Sequence, residues 1–231
     1  MTEIVPGVHA IDLGTVYAYL YHERDHLTLI DTGYADHAAR VLQEIETIGR
    51  RPQDLAQIVV THSHADHRGA LAELVDRTGA QVLVHALDAP VVRGEVPQPL
   101  PVLSDLEREP FEQIMAGFVE PPPGPVDREL EDGDEIDLDG GAQAVHVPGH
   151  TAGSIAVYLP GRRLLFSGDA AVAGPQGRLM VGVFNVDTQQ ARASFRKLAA
   201  LDFEVACFGH GKPLDREASL AFRRLAEKLG R

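Results

Sequence analysis

Cysteine is almost absent from this 231-residue sequence, in which Cys207 is the only one. A single cysteine cannot form an internal disulfide bond. Because Cys207 lies in the apolar run 205–208, we predict a buried thiol with a structural role.

Basic residues are also scarce: 21 Lys and Arg face 34 Asp and Glu, which gives a formal net charge of -13. Such a chain repels a phosphate backbone, and no local run of basic residues interleaved with aromatic residues offsets the repulsion. We therefore predict that nucleic acid is not a partner.

Long apolar runs and glycine-rich nucleotide motifs are missing as well. Residues 1–6 lack the basic start and the apolar stretch of a secretory signal, and no later segment reaches the length of a membrane span. Neither Gly-x-Gly-x-x-Gly nor a P-loop sequence occurs, so a nucleotide cofactor is not indicated. The sequence predicts a cytoplasmic protein with no membrane partner.

The composition that remains is that of a folded α/β protein, with 44% hydrophobic and 24% charged residues. Periodicity predicts strands at 7–13, 16–21, 27–30, 58–60, 82–84, 144–147, 155–159 and 164–166. Helices are expected from an Asp36 cap to Gly49, over 70–79, over 188–200 and over 215–229. Eight of the fifteen prolines fall within 94–125, which indicates an inserted loop or cap.

Three imidazoles and one carboxylate are crowded into residues 62–67, directly after the predicted strand 58–60. Imidazole nitrogens and carboxylate oxygens suit Zn²⁺ and similar divalent ions. Side chains two apart on a strand share a side, so His62 and His64 are expected to face one ion. The turn into the next helix aims Asp66 and His67 differently, which favours a second ion nearby.

This His-x-His-x-Asp-His segment resembles the signature of the metallo-β-lactamase superfamily. Other segments match the family in the same order: Asp-Thr-Gly at 31–33, Pro-Gly-His-Thr at 148–151, Ser-Gly-Asp at 167–169 and Gly-His-Gly at 209–211. The resemblance implies a four-layer αββα sandwich with two mixed β-sheets between helices. It also implies one domain over 1–231, with the Pro-rich insert at about 94–125.

The resemblance further assigns the metal ligands. It implies that one ion is held by His62, His64 and His150, the other by Asp66, His67 and His210, and that Asp169 bridges them. Asp31 is implied to order the loops behind the ligands and not to bind metal. Zinc is the first expectation for both ions, with iron or manganese as alternatives.

The chemistry implied by such a centre is hydrolysis. Two cations about 3.5–4 Å apart hold a bridging water as hydroxide near neutral pH and polarise the substrate. Asp66 is expected to orient this nucleophile and is a candidate proton shuttle to the leaving group.

Several other polar residues receive no functional assignment. Six histidines stand alone in the sequence and are expected to be surface or hydrogen-bonded residues: His9, His22, His26, His37, His85 and His146. The acidic run 129–139 is expected to be a solvated turn. Tyr34, Phe184 and Asn185 could line a substrate pocket, but the sequence assigns them no role.

The substrate class follows from what the chain resembles within the superfamily. Only about twenty residues follow His210, so the chain resembles compact lactonases and glyoxalase-II-like members without an added C-terminal domain. We predict a small-molecule substrate with a lactone, thioester or related bond. Two alternatives stay open: a persulfide dioxygenase with one iron, and a non-catalytic metal-stabilised domain whose 94–125 segment binds a partner. The sequence leaves the oligomeric state open, a homodimer included.

Overall fold

The structure, a computed structural model, describes residues 1–230 and contains two large β-sheets. In the first sheet seven strands lie side by side in chain order. They are β1 (Thr2–Val5), β2 (Val8–Asp12), β3 (Tyr17–His22), β4 (Leu27–Ile30), β5 (Leu55–Val60), β6 (Gln81–His85) and β7 (Arg128–Leu130). Neighbours from β1 to β4 are antiparallel and those from β4 to β7 are parallel, so the sheet is mixed.

The second sheet has five strands and is also mixed. Its strands are β8 (Glu135–Ile136), β9 (Ala142–His146), β10 (Ile155–Leu159), β11 (Leu164–Phe166) and, after the hairpin of β12 (Ala171–Ala173) and β13 (Leu179–Val181), β14 (Val205–Cys207). The order is β14-β11-β10-β9-β8, with only the β11–β14 pair parallel. The hairpin of β12 and β13 forms a separate two-stranded sheet.

In the described part of the chain, seven α-helices connect and cover these sheets. They are α1 (Ala38–Thr47), α2 (Ala65–Arg68), α3 (Leu71–Thr78), α4 (Ala89–Val92), α5 (Asp105–Met115), α6 (Thr188–Ala199) and α7 (Ala218–Leu229). Gly49 and Gly79 follow α1 and α3 with positive φ angles of 75° and 76°, as expected of residues that end a helix. No helix within residues 1–230 is long and apolar enough to cross a membrane.

Side-chain alternation along the strands separates three apolar layers. In β5, Ile58 and Val60 pack in a cluster with α1 and α3, whereas Val59 packs in a second cluster between the two sheets. A third cluster joins the second sheet to α6 and α7, with Phe195 and Phe222 at its centre. Each fully buried aliphatic or aromatic side chain stabilises this arrangement by about 1.5–3 kcal/mol. The predicted four-layer αββα sandwich is confirmed.

Element boundaries differ from the prediction at a few places. Asp36 does not cap α1; it lies inside a 3-10 turn, Ala35–His37, that precedes the helix. Residues 215–217 stay outside α7. The acidic run 129–139 is a turn only in part, because it includes the end of β7 and all of β8.

The Pro-rich insert contains a helix that was not predicted. Ser104 and Glu107 form a capping box at the start of α5, with the Ser104 amide 2.9 Å from Glu107 Oε2. This cap lets α5 form although Pro110 lies inside it.

Candidate metal centre

The His-rich segment leaves the first sheet before its histidines begin. β5 ends at Val60, residues 61–64 form a loop, and α2 starts at Ala65. The strand-alternation argument for His62 and His64 is therefore wrong, because neither residue is in a strand. Their rings nevertheless meet, with centroids 4.8 Å apart.

The remaining predicted ligands come from loops of the second sheet. His150 follows β9, Asp169 lies in a short 3-10 turn after β11, and His210 follows β14. Gly209 makes the close approach possible, because a Cβ atom there would overlap Asp169 Oδ1 and lie 2.5 Å from His67 Cε1.

The structure brings all seven predicted ligands together in three overlapping groups. Within each group the candidate ligand atoms lie within 4.8 Å of one another: His62, His64 and His150; His62, His67 and Asp169; Asp66, His67 and His210. Asp169 lies between the first and third groups, with Oδ2 3.6 Å from His150 Nε2 and 3.2 Å from His210 Nε2. The geometry can therefore hold two adjacent cations.

Unpartnered buried atoms test whether a cation fits. Among residues 1–230, His62 Nε2, His67 Nε2 and Asp169 Oδ1 are buried without a hydrogen-bond partner, and so are both ring nitrogens of His150. Such atoms are costly to bury in an apolar interior. In His67 and His210 the other ring nitrogen, Nδ1, has a hydrogen-bond acceptor outside the centre. His67 Nδ1 lies 2.8 Å from Asp31 Oδ2, and His210 Nδ1 lies 2.6 Å from the Thr15 carbonyl. With Nδ1 donating, each Nε2 presents a lone pair to the centre, so the residues fit a divalent ion.

The charges of the site divide its histidines into two kinds. Burial lowers the pKa of His62 and His150, and it lowers the pKa of His64 to about 3, so these rings are neutral and ready to act as ligands. Burial also acts to lower the pKa of His67 and His210, but nearby carboxylates outweigh it. They raise the pKa of His67 to about 9 and that of His210 to about 12.

The two carboxylates inside the site stay ionised. Burial acts to raise the pKa of Asp66 and Asp169, but the adjacent His67 and His210 more than offset it and hold both pKa values well below their usual range. Without a metal these carboxylates retain protons on His67 and His210, and cation binding displaces those protons.

Asp31 lies behind His67 and belongs to none of the three ligand groups. Its carboxylate accepts hydrogen bonds from the Thr61 amide at 2.7 Å and the Thr61 hydroxyl at 2.8 Å, besides its contact with His67. Asp31 also has a φ of 59°, a left-handed conformation that Asp tolerates better than most residues. This placement agrees with the loop-ordering role expected of it.

None of the six other histidines joins a ligand group within residues 1–230. Two of them, His85 and His146, stack on each other with ring centroids 4.0 Å apart, a contact that the sequence did not predict. His146 Nε2 also lies 2.9 Å from the Ala152 carbonyl.

Contacts between the insert and the metal loops were not predicted. The Ser63 hydroxyl donates to Gln98 Oε1 at 2.8 Å, and the buried Arg68 guanidinium reaches Glu120 at 2.6 Å and the Pro122 carbonyl at 3.4 Å. The only sequence signal was an arginine directly after the His-rich segment. These contacts anchor both ends of the insert beside the metal centre.

A second insert contact involves Phe184, one of the three residues to which the sequence assigned no role. The Phe184 and Phe111 rings lie 5.5 Å apart, and the Phe184 amide donates to Glu107 Oε1. Asn185 is buried and donates to the Gly182 carbonyl, whereas Tyr34 is about one-third exposed. The Val186 amide, two residues further on, donates to the His150 carbonyl, so Phe184 meets α5 beside the His150 loop, which forms the rim of the site here.

The four-layer αββα sandwich therefore carries a candidate His/Asp metal centre in the loops that follow its strands. The profile of the metallo-beta-lactamase superfamily matches residues 11–210, and the chain belongs to that superfamily. It is thus a member of a metallo-hydrolase family that uses divalent metals.

Relatives that are similar in sequence agree with this family assignment. The chain is 28% identical to the probable metallo-hydrolase YflN of Bacillus subtilis over 233 residues, covering 92% of this chain and 86% of the relative. It is 32% identical to a hydroxyacylglutathione hydrolase of Cereibacter sphaeroides over 198 residues, covering 84% of this chain but only 62% of that enzyme.

Similarity to solved structures concerns the fold alone. A metallo-beta-lactamase from Cronobacter sakazakii superposes with a TM-score of 0.76 at 22% identity, covering 99% of this chain and 93% of the other. The subclass B3 metallo-beta-lactamase BJP-1 of Bradyrhizobium japonicum gives 0.73 at 22% identity, covering 99% and 90%.

Proposed function

We propose that this chain hydrolyses an ester-like bond in a small molecule, either a lactone or a thioester. It would use two divalent ions, for which zinc is the first expectation. His62, His64 and His150 would hold one ion, Asp66, His67 and His210 the other, and Asp169 would contact both. The observation that carries the proposal is the set of buried, unpartnered nitrogen and oxygen atoms that converge in this centre. We also propose that 1–231 forms one domain, because the insert is anchored to the metal loops.

Divalent ions bound here would supply Lewis acidity and lower the pKa of coordinated water. The chain's own contribution centres on Asp66, whose side chain is about one-fifth exposed and whose Oδ2 lies 3.1 Å from His210 Nε2. Because its pKa is low, Asp66 is ionised and can accept a hydrogen bond from a water molecule, which orients that water. Its partly exposed side chain would also let it carry a proton to the leaving group. Asp169 is more buried than Asp66 and is therefore assigned to metal binding alone.

The choice of bond draws on the relatives. The similarity to hydroxyacylglutathione hydrolases favours a thioester. The chain spans about three-fifths of the length of those enzymes. The similarity therefore supports the type of bond and does not identify the thiol half of the substrate. The insert, with Phe111 against Phe184 at the rim, supports a substrate that carries an apolar group.

The first test is metal content per chain, measured by elemental analysis on protein purified without added metal, together with turnover of lactone, thioester and phosphodiester substrates. We expect two ions and turnover of a lactone or thioester. One iron and no hydrolysis would favour the persulfide dioxygenase instead. Bound metal with no turnover of any substrate would favour the non-catalytic domain.

Single substitutions test the two-ion arrangement directly. His67→Ala and His210→Ala remove ligands of the second ion, so we expect metal content near one ion and a large loss of turnover. His9→Ala is the matched control, because His9 belongs to no ligand group, and it should keep both ions. Unchanged stoichiometry and turnover in His67→Ala and His210→Ala would contradict the proposal.

A further inference from the structure

A buried carboxylate outside the proposed ligand set joins two of the metal loops. Asp88 lies in the turn after β6 and is 2% exposed. Its Oδ2 accepts hydrogen bonds from the Ser63 amide at 2.8 Å and the Thr151 hydroxyl at 2.7 Å. Its Oδ1 accepts from the Gly153 amide at 2.7 Å. All three partners are donors, as an ionised carboxylate requires.

These donors lie directly beside three proposed ligands. Ser63 separates His62 from His64, and Thr151 follows His150. One carboxylate therefore fixes the distance between the loop after β5, in the first sheet, and the loop after β9, in the second. Those two loops supply the whole of the first ligand group.

The position of Asp88 in the chain would normally make it a helix-capping residue. It is the N-cap residue of α4, and an aspartate at that position usually accepts a hydrogen bond from the first turn of its own helix. Here the side chain makes no capping bond and turns to the metal loops instead.

The surroundings leave the carboxylate little freedom to move. A Cβ atom on Gly153 would lie 2.6 Å from the Asp88 amide nitrogen and 2.7 Å from its Oδ1, so only glycine allows the loop this close. On the other side, Thr151 is held by Ser154, whose hydroxyl lies 2.7 Å from the Thr151 hydroxyl.

We propose that Asp88 is a positioning residue that holds His62, His64 and His150 at the spacing needed to bind a divalent ion. This inference rests on the proposed metal centre. Hydrogen-bond acceptors that orient metal ligands without binding the metal commonly contribute about 10–100-fold to metal affinity. Asp88 acts through the backbone beside the ligands, so we place its effect at the lower end, about tenfold.

The test compares three variants with the wild-type chain. Asp88→Asn keeps the shape but turns an NH₂ group toward one set of donors, and Thr151→Val removes a single hydroxyl donor. Glu44→Gln is the control: Glu44 is also a buried carboxylate, 4% exposed, but it bonds Arg40 and the amino group of Met1 on the outer side of the first sheet.

Metal-free proteins are titrated with Zn²⁺ against a competing chelator, and the visible absorption of the Co²⁺ form reports ligand geometry. We expect Asp88→Asn to weaken the first ion about tenfold and to change the Co²⁺ spectrum, with a smaller change in the same direction for Thr151→Val. Glu44→Gln should lower the unfolding temperature without changing affinity or spectrum.

Two results would overturn the inference. If Asp88→Asn unfolds at a lower temperature but binds the first ion with wild-type affinity and spectrum, Asp88 is only a structural residue. If Asp88→Asn fails to fold, the same comparison is made on Thr151→Val, and wild-type binding there rejects the role. A wild-type chain that takes up no ion would instead contradict the metal centre, and the role of Asp88 with it.

Discussion

Asp31→Asn exchanges one oxygen for an NH₂ group behind His67, and we expect it to relocate a proton. In the wild-type chain Asp31 Oδ1 accepts from the Thr61 amide, and Oδ2 accepts from His67 Nδ1. An asparagine that keeps its oxygen on the Thr61 amide turns its NH₂ group toward Nδ1. Since two donors cannot face each other, the ring must carry its proton on Nε2, the atom that faces the metal centre.

The Thr61 hydroxyl also donates to Oδ2 in the wild-type chain, but it can rotate and accept from the new NH₂ group. The size of the effect then follows from one lost hydrogen bond to a charged group, about 1.5–3 kcal/mol of unfolding free energy. In a chain of this length that lowers the unfolding temperature by roughly 3–12 °C and leaves the protein folded. Asparagine adopts the left-handed conformation of residue 31 as readily as aspartate, so no backbone strain is added. Metal affinity at the site containing His67 is expected to fall about 10–100-fold.

The assay is a Zn²⁺ titration of metal-free protein against a chelator, combined with thermal unfolding by circular dichroism. Asp187→Asn is the control, because Asp187 caps α6 through the Gln190 amide and asparagine caps equally well. Both readouts should be unchanged in that variant. If Asp31→Asn bound two ions with wild-type affinity, the carboxylate would not be setting the tautomer of His67, and the reasoning would fail.

Three shorter predictions concern other parts of the chain. Burial raises the pKa of the Cys207 thiol, so a thiol reagent should label about one group per chain only after unfolding; fast labelling of folded protein would contradict this. Gly209→Ala places a methyl group against Asp169, so elemental analysis should find fewer than two ions per chain. An active variant with two ions would contradict this prediction. Arg68→Met leaves the buried Ser63 carbonyl without its donor, so the free energy of unfolding should fall by about 1–3 kcal/mol, and loss of the contacts with Glu120 and Pro122 should speed proteolysis within 94–125; a wild-type cleavage rate would argue against this anchoring.

Two sources predicted which side chains meet at the centre: the crowded ligand chemistry of residues 62–67, and the resemblance to metallo-β-lactamases, which implied the other three ligands. Residues 62–67 carry four of the seven ligand groups, and glycine marks the loops of the other three. Apolar strands such as Leu55–Val60 likewise predict buried layers directly. The argument that placed His62 and His64 on one side of a strand was nevertheless wrong, because periodicity cannot show at which residue a strand ends.

Apart from Asp31, which the family resemblance indicated, residues that support the centre from a distance could not be predicted. Asp88 bonds residues 25, 63 and 65 positions away, and Arg68 reaches Glu120 across 52 positions. No local spacing encodes such contacts, because they arise only when the two sheets pack together. The stacking of His85 on His146 has the same origin, since β6 and β9 belong to different sheets.

The division of ligands between the sheets bears on how the protein comes apart. His62, His64, Asp66 and His67 follow a strand of the first sheet, whereas the other three follow strands of the second. An ion held between them is a cross-link across the sandwich, and the sheets cannot separate until it dissociates. Metal release would then limit the rate at which the metal-bound protein unfolds. The unfolding half-life measured in a chelator would report the dissociation rate of the metal more than the stability of the apolar layers.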